Sequence, residues 1–416
     1  METRVYYGEY TLRHWLDLMI SRNIILPDYQ RSFVWGESDI KRLIESLKSG
    51  QFIMPVTIAH YKDESGEKNL ILDGQQRLTS LLLVYLGYMP IKEKFKASED
   101  DIAIGDDSQE EFLSNSMEWT YKYLLGKNTQ LNNLIKIKEQ LGMNDHYKKI
   151  VVDFDVDIED FYDNTYLGFS FIIPNSIEAN ETQKYFSTLF RNMNYFGKKL
   201  SSLESRRSLY YMNADFRNFF DGKLETGEDI LCGIRILENM APKKIDFVRY
   251  LAMLSQYIIK KEVKKVMVGY SAYSSRETYY ADYVSYIVGL DQEDRKDKFD
   301  GFDISSLFPN HEWRKRFEFV KSFIERNKKE LGLDVKTGAF TSWIDADYWL
   351  YGLLYYVVFI GKKITKEKEL IVCIHKEIII KRSLPKTDDY SKNPNRISNL
   401  RDRLQHSLKL YEHYAE

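Results

Sequence analysis

An α+β chain is predicted, with a mixed α/β N-terminal part over residues 1–225 and a mainly α-helical C-terminal part over 226–416. Three observations predict it. A strand, a tight Asp73-Gly74 turn and a strongly apolar helix follow one another between Pro55 and Leu86. Beyond residue 225, apolar residues recur at helical spacing and strand signals are few. The chain has 416 residues, 44% hydrophobic and 29% charged, which is globular in composition and too long for one ordinary core.

The elements follow in order. Residues 11–22 form an amphipathic helix capped by Thr11, with Leu12, Trp15, Leu16 and Met19 on one stripe. Ile24 to Trp35 is extended and interrupted by Pro27. A helix runs from about Asp39 to Lys48, capped by Ser38 and stopped by Gly50. Pro55 to Tyr61 is a strand rich in Val, Thr and Ile. Asp63 to Lys68 is a polar turn, and Asn69 to Leu72 is a second short strand. The helix opened at Gln75 ends at Gly87. Residues 97–111 carry a run of acids, read as a solvated loop or insertion. Helices are expected at about 110–125 and 130–141, a strand at Tyr166–Ile173, and a helix at about Glu181–Asn194. Another helix starts at Ser201, where Ser201 and Glu204 have capping-box spacing. Further on, Trp313–Leu331, Trp343–Val358, Lys366–Arg382 and Ile397–Tyr414 read as helices.

Charge and cysteine usage exclude several classes. With 60 basic and 62 acidic residues, the formal charge of −2 gives no whole-molecule field for DNA, so any nucleic-acid contact must be local. The two cysteines, Cys232 and Cys373, form neither a CxxC pair nor a zinc spacing. The N-terminus has no apolar signal core. The longest apolar run, around Tyr351 to Ile360, is about half of the ~20 residues a membrane span needs. The expected location is the cytoplasm, without a membrane partner. No P-loop and no Gly-x-Ser-x-Gly elbow occurs. The 31 tyrosines are scattered and read as helix packing. Lys260, Lys261, Lys264 and Lys265 form a basic patch, read as a solvated face with a phosphate-backbone contact as the alternative.

Asp73-Gly74-Gln75-Gln76-Arg77 is the most informative stretch. The first N–H groups of a helix have no partner within it, and the peptide dipoles place about half a positive charge there. Gly74 lets a ligand approach the backbone. Gln75 and Gln76 add amide donors, and Arg77 adds a fork of donors suited to phosphate. The helix is apolar on nearly every side, so an arginine in its first turn needs a counter-charge. Phosphate would supply it, with Mg²⁺ bridging to Asp73. The structural alternative is that Asp73 and Gln76 merely cap the helix while Arg77 pairs with a carboxylate such as Asp28.

Leu26-Pro27-Asp28-Tyr29-Gln30-Arg31-Ser32-Phe33-Val34-Trp35 places three aromatics beside Gln30 and Arg31. Arginine near aromatic faces can grip phosphate or stack on a base. The alternative is an arm that packs Phe33 and Trp35 into the core.

Together these stretches resemble the N-terminal domain of GmrSD-type restriction proteins, as a stand-alone member. A third block agrees: Asn194, Gly197, Leu200, Glu204 and Arg206 have the spacing Asn-x-x-Gly-x-x-Leu-x-x-x-Glu-x-Arg. The resemblance spans about residues 10–210. It implies a ParB/sulfiredoxin-like fold, nucleoside-triphosphate binding and hydrolysis, and a role in defence against phage DNA, often modified DNA. It implies that Asp73, Gln76 and Arg77 are catalytic and that Gly74, Gln75, Gln76, Arg77, Gln30 and Arg31 bind nucleotide. Asp28, Tyr29, Asn194 and Arg206 would support the site, and Asp73 would hold Mg²⁺.

The best-known members of that family carry a C-terminal HNH nuclease. Here His375 lacks the expected partners around it, so DNA cutting would fall to a separate nuclease subunit. Two other readings stay open. One is a non-catalytic DNA-binding or regulatory subunit, and the other is a nuclease with an unrecognised C-terminal site.

Overall fold

A computed structural model describes residues 4–26, 33–63, 66–95, 102–103, 119–126, 134–174, 185–186, 188–189, 202–211, 213–238, 241–270, 275–290, 298–304, 312–385 and 393–416. The chain divides into two compact units. The first holds Met1–Ser98 and Glu110–Ser208, and the second holds Glu99–Gln109 and Leu209–Glu416.

The first unit is built on a four-stranded sheet. Its strands are β1 (Arg4–Thr11), β2 (Val56–Asp63), β3 (Gly66–Asp73) and a fourth, Tyr166–Ile173, in the order β1, Tyr166–Ile173, β2, β3. Tyr166–Ile173 is the expected strand, and it lies inside the sheet, antiparallel to β1 and parallel to β2. β1 had no sequence signal: its side chains are mostly exposed, as at an edge, so no apolar alternation marks it. The β2–β3 hairpin is longer than expected, pairing as far as Asp63 with Gly66.

Helices pack on one face of this sheet. Helix α1 (Leu12–Ile20) is capped by Thr11, whose hydroxyl accepts the His14 N–H at 3.2 Å, and it buries the expected stripe. Helix α2 (Glu37–Lys48) starts after Gly36 rather than Ser38. The Asp39 carboxylate accepts the Gly36 N–H at 3.1 Å, so a side chain reaching back from inside the helix does the work assigned to Ser38. Helix α3 (Gln75–Leu86) runs between the expected bounds and stops at Gly87, whose φ of +75° suits glycine. Leu78, Leu81, Leu82, Leu83 and Leu86 are fully buried against Val56, Ile58 and Ile71 of the sheet. Each such leucine contributes about 1.5–3 kcal/mol of burial.

Strand β4 (Tyr88–Pro90) pairs with Tyr147–Lys149. Shorter helices occupy Tyr121–Gly126, Leu134–Gly142, Ile158–Asn164 and Ser202–Ser208. The expected helix at 181–194 lies largely outside the described residues.

The expectation for 97–111 is revised at one point. Strand β5 (Ile102–Ala103) pairs in parallel with Ala241–Ile245 of the second unit, so this part of the acidic run is a sheet strand. The remainder lies outside the described residues.

The second unit begins at Leu209, earlier than residue 225. The reason is the helix Ala214–Asp221, whose Phe216, Phe219 and Phe220 join the second core. Helices Phe247–Lys260, Arg276–Ile287, Glu312–Asn327, Trp343–Leu354, Glu367–Arg382 and Ile397–Glu412 share that core. A small sheet adds strands Arg235–Glu238, Ala241–Ile245 and Ala339–Phe340, which the sequence did not signal. The α+β class is therefore observed. No helix among the described residues is long and apolar enough to cross a membrane.

A buried ionic knot ties three helices of this unit. Asp347 accepts both terminal nitrogens of Arg249, at 2.5 and 2.9 Å, the Tyr250 hydroxyl at 2.9 Å and Arg403 Nε at 2.8 Å. Burial opposes the Asp347 charge, but Arg249 and Arg403 outweigh it and hold the carboxyl below its ordinary range. Nearby, Gly352 is a contact glycine: a Cβ there would lie 2.1 Å from Tyr411 Cδ2 and 2.8 Å from Ser407 O.

Candidate functional site

The β3–α3 turn is shaped by the backbone first. Thr57 pairs with Asp73 while Ile58 pairs with Ile71, so Leu72 is an extra residue on β3. This irregularity bends the strand end and sets the direction of Asp73. Gly74 then adopts φ +94°, ψ 5° and serves as the N-cap of α3. A Cβ at Gly74 would meet Val56 Cγ2 at 2.9 Å and Arg77 Nη2 at 3.3 Å. Two internal demands thus call for glycine: a left-handed backbone and close packing on Val56.

The cap position falls to Gly74 rather than Asp73, and glycine has no side chain to cap with. The Gln76 carbonyl oxygen instead accepts the backbone N–H of Val34 at 2.9 Å and of Trp35 at 3.4 Å. Both Gln75 and Gln76 are buried.

Arg77 is 12% exposed, and its Nη2 donates to Asp73 Oδ2 at 2.6 Å. Its Nη1 donates to the Met54 carbonyl. Asp73 itself is 51% exposed. Burial lowers the Arg77 pKa from its ordinary value, and Asp73 counters part of that. A guanidinium has five N–H donors, so these two contacts leave donors for a further acceptor. The internal carboxylate that pairs with Arg77 is therefore Asp73. Asp28 lies outside the described residues.

The structure brings Asp73, Gly74, Gln76 and Arg77 together with Met54, Val34 and Trp35. Phe33 is buried, its ring 5.9 Å from Trp119 in an edge-on contact, and its N–H donates to Trp119 O at 2.7 Å. This is the packing role considered for the aromatics. Tyr29, Gln30, Arg31 and Asn194 lie outside the described residues. Arg206 is buried on the helix Ser202–Ser208.

Among the described residues, no group of three or more His, Cys, Asp or Glu side chains could hold a metal ion. Asp73 by itself suits Mg²⁺ only where phosphate oxygens and water complete the shell. His375 Nε2 meets the Glu330 carbonyl oxygen, and its ring lies edge-on to Trp349. In the basic patch, Lys265 pairs with Glu262 at 2.6 Å.

Sequence reasoning missed the polar residues beside the turn. Thr57 sits opposite Asp73, and its Oγ1 lies 3.0 Å from Ser170 Oγ on the next strand. Only the pairing register reveals this. The Met54 contact uses a backbone carbonyl and has no side-chain signature at all.

A mixed sheet that delivers a glycine-capped, arginine-bearing helix start defines the class: an α+β domain built around a strand–turn–helix. Residues 13–211 match the family of the GmrSD restriction endonuclease, N-terminal domain, and this part of the chain belongs to that domain family. An uncharacterised protein of Methanocaldococcus jannaschii is 27% identical over 234 residues, covering 45% of this chain and 39% of the relative. The match thus spans well under half of that relative's length. No solved structure matches the chain.

Proposed function

We propose that the β3–α3 turn binds the phosphates of a nucleoside triphosphate and hydrolyses it within a restriction system, gating DNA recognition or the action of a partner. The observation that carries this reading is a helix α3 that starts on a left-handed glycine and bears one largely buried arginine beside a half-exposed carboxylate. The helix start is positively polarised, and Arg77 adds a full charge within its first turn. Two unit charges 4 Å apart attract by about 4 kcal/mol at an effective dielectric near 20. A triphosphate carries several charges against the single one on Asp73, so it competes well for the same guanidinium. Membership of residues 13–211 in the GmrSD domain family supports the restriction context.

In this reading Arg77 and the helix N–H groups neutralise and orient the phosphates, while Gln76 holds residues 34–35 against the turn. Gln30 and Arg31, a few residues before that segment in the sequence, would add to the phosphate contacts. Asp73 would hold Mg²⁺, together with the phosphates. When bound, Mg²⁺ supplies charge neutralisation to the phosphates. No covalent nucleophile is required: positioning and charge stabilisation suffice for attack by water.

The test is phosphate release by purified protein with each of the four nucleoside triphosphates, beside Arg77→Ala. Release should fall by a factor of about 100 or more, the scale of a lost electrostatic stabiliser. Equal release from both proteins would remove the turn from the mechanism.

The Asp73–Arg77 pair also favours a second reading. Because Arg77 already has an internal partner, the turn can hold nucleotide or a DNA phosphate without turnover, as a regulatory subunit beside a separate nuclease. Tight nucleotide binding with no phosphate release is the outcome that selects it.

A further inference from the structure

Four strands of the N-terminal sheet each place an oxygen-bearing side chain on one transverse row. Tyr7 pairs with Ser170, Ser170 with Thr57, and Thr57 with Asp73. Directly paired residues share a face, so Tyr7, Ser170, Thr57 and Asp73 stand side by side. At strand spacings of about 4.8 Å the row spans ~14 Å. It begins at the carboxylate beside Arg77 and ends at Tyr7, which is 77% exposed. The next row on the same face, Ile172, Ala59 and Leu70, is buried, so the polar row is the rim of a covered area. On the other side stands Gly168, which leaves a low shelf over Pro55.

The hydroxyl pair has chemistry to spare. Thr57 Oγ1 and Ser170 Oγ lie 3.0 Å apart, and either can be the donor. Two hydroxyls carry two protons, and one hydrogen bond uses one of them. Whichever residue donates, the other keeps a proton and both keep acceptor capacity. Both side chains are only half-buried, so a ligand can reach them.

We propose that this row binds the nucleoside part of the triphosphate: the Thr57–Ser170 pair holds the ribose hydroxyls, and Tyr7 carries the base on its ring. The inference rests on the phosphate site proposed at Gly74–Arg77, which fixes one end of the ligand. A ribose follows the phosphates, and hydroxyl–hydroxyl hydrogen bonds are the complement of its diol. The base comes next, and an exposed aromatic ring at the end of the row is a stacking surface that tolerates any base.

The experiment measures affinity for a ribonucleoside triphosphate, its 2′-deoxy counterpart and inorganic tripolyphosphate by calorimetry. Wild-type protein should prefer the ribonucleotide by about tenfold, the worth of one net hydrogen bond. Thr57→Val and Ser170→Ala should each reduce that ratio to about one while leaving tripolyphosphate binding unchanged, which also reports an intact fold. Tyr7→Ala should weaken both nucleotides by about tenfold or more, as loss of one stacked base does, and spare tripolyphosphate. Should nucleotides bind with dependence on Arg77 while the ribose preference survives in both hydroxyl variants, the row is not the nucleoside site and the phosphate reading stands. If wild-type protein binds neither nucleotide nor tripolyphosphate, both readings fail together.

Discussion

The side-chain oxygen of Gln76 receives the backbone N–H of Val34 at 2.9 Å, joining two motifs that lie far apart in the chain. The first turn of α3 thereby fixes the end of the 26–35 segment. Gln76→Ala would leave these N–H groups without their acceptor, a loss of about 1–3 kcal/mol. Gln76→Glu keeps an acceptor and should lose less. Urea denaturation measures the stability of both variants, and amide exchange at Val34 and Trp35 should accelerate in the alanine variant alone. Unchanged exchange there would show that the contact does not hold the segment.

Gly74 answers to two separate constraints, and they can be pulled apart. Gly74→Ala forces a Cβ onto φ +94° and against Val56. The backbone strain alone is about 1–3 kcal/mol. Adding Val56→Ala to this variant removes the collision but not the strain. The collision part of the Gly74→Ala effect should therefore vanish in a double-mutant cycle of thermal melts. Strict additivity of the two substitutions would mean the Val56 contact is unimportant.

The Asp347 knot should be the most sensitive point of the second unit. Asp347→Ala leaves Arg249 and Arg403 buried without their shared carboxylate. Such a loss is about 3–5 kcal/mol. Because the Asp347 pKa is depressed on folding, its contribution is present above the unfolded value of 3.8 and is lost as pH falls through the lower folded value. Thermal melts of wild type and Asp347→Ala should therefore converge on acidification. A constant gap down to strongly acidic pH would contradict the assignment.

His406 gives the opposite sign. Its Nδ1 lies 3.2 Å from Asp402 Oδ1, and the hydrogen bond to Asp402 raises its pKa above the ordinary 6.5 despite partial burial. Asp402, although desolvated, is held at about 2 by His406 and Lys381, so it is ionised at neutral pH. A raised folded pKa stabilises fully below 6.5 and is lost as pH climbs through the folded value. Wild-type melting temperature should decline on the alkaline side of 6.5 relative to His406→Gln. Parallel curves for the two proteins would exclude the pair as a source of stability.

Much of the fold was legible in local pattern. α3 was bounded by two glycines with left-handed backbones, and Tyr166–Ile173 by its apolar run and Pro174. These signals are local, so single-chain reading suffices. β1 was hidden because an exposed edge strand has no apolar alternation. Strands Arg235–Glu238 and Ala241–Ile245 were hidden because they are short and partly polar. The turn at 73–77 was legible as a strand–turn–helix, but the partner of Arg77 was not. Asp73 is a neighbour of Arg77 only once the chain has turned, and Met54 contributes a carbonyl that every residue has. The Thr57–Ser170 contact depends on register between distant strands, which no local spacing encodes.

Strand β5 gives the acidic stretch a role in the architecture. Ile102 and Ala103 line the outer side of Ala241–Ile245, so the chain leaves the first unit, lends a strand and returns before the second unit is made. A fragment cut at residue 208 would carry that strand away and bare a row of unsatisfied main-chain groups on its former neighbour, which is a ready template for self-association. Residues 209–416 expressed alone should therefore aggregate more readily than the same fragment co-expressed with 1–208. A cut at residue 208 therefore splits the second unit's own sheet rather than separating two self-sufficient pieces.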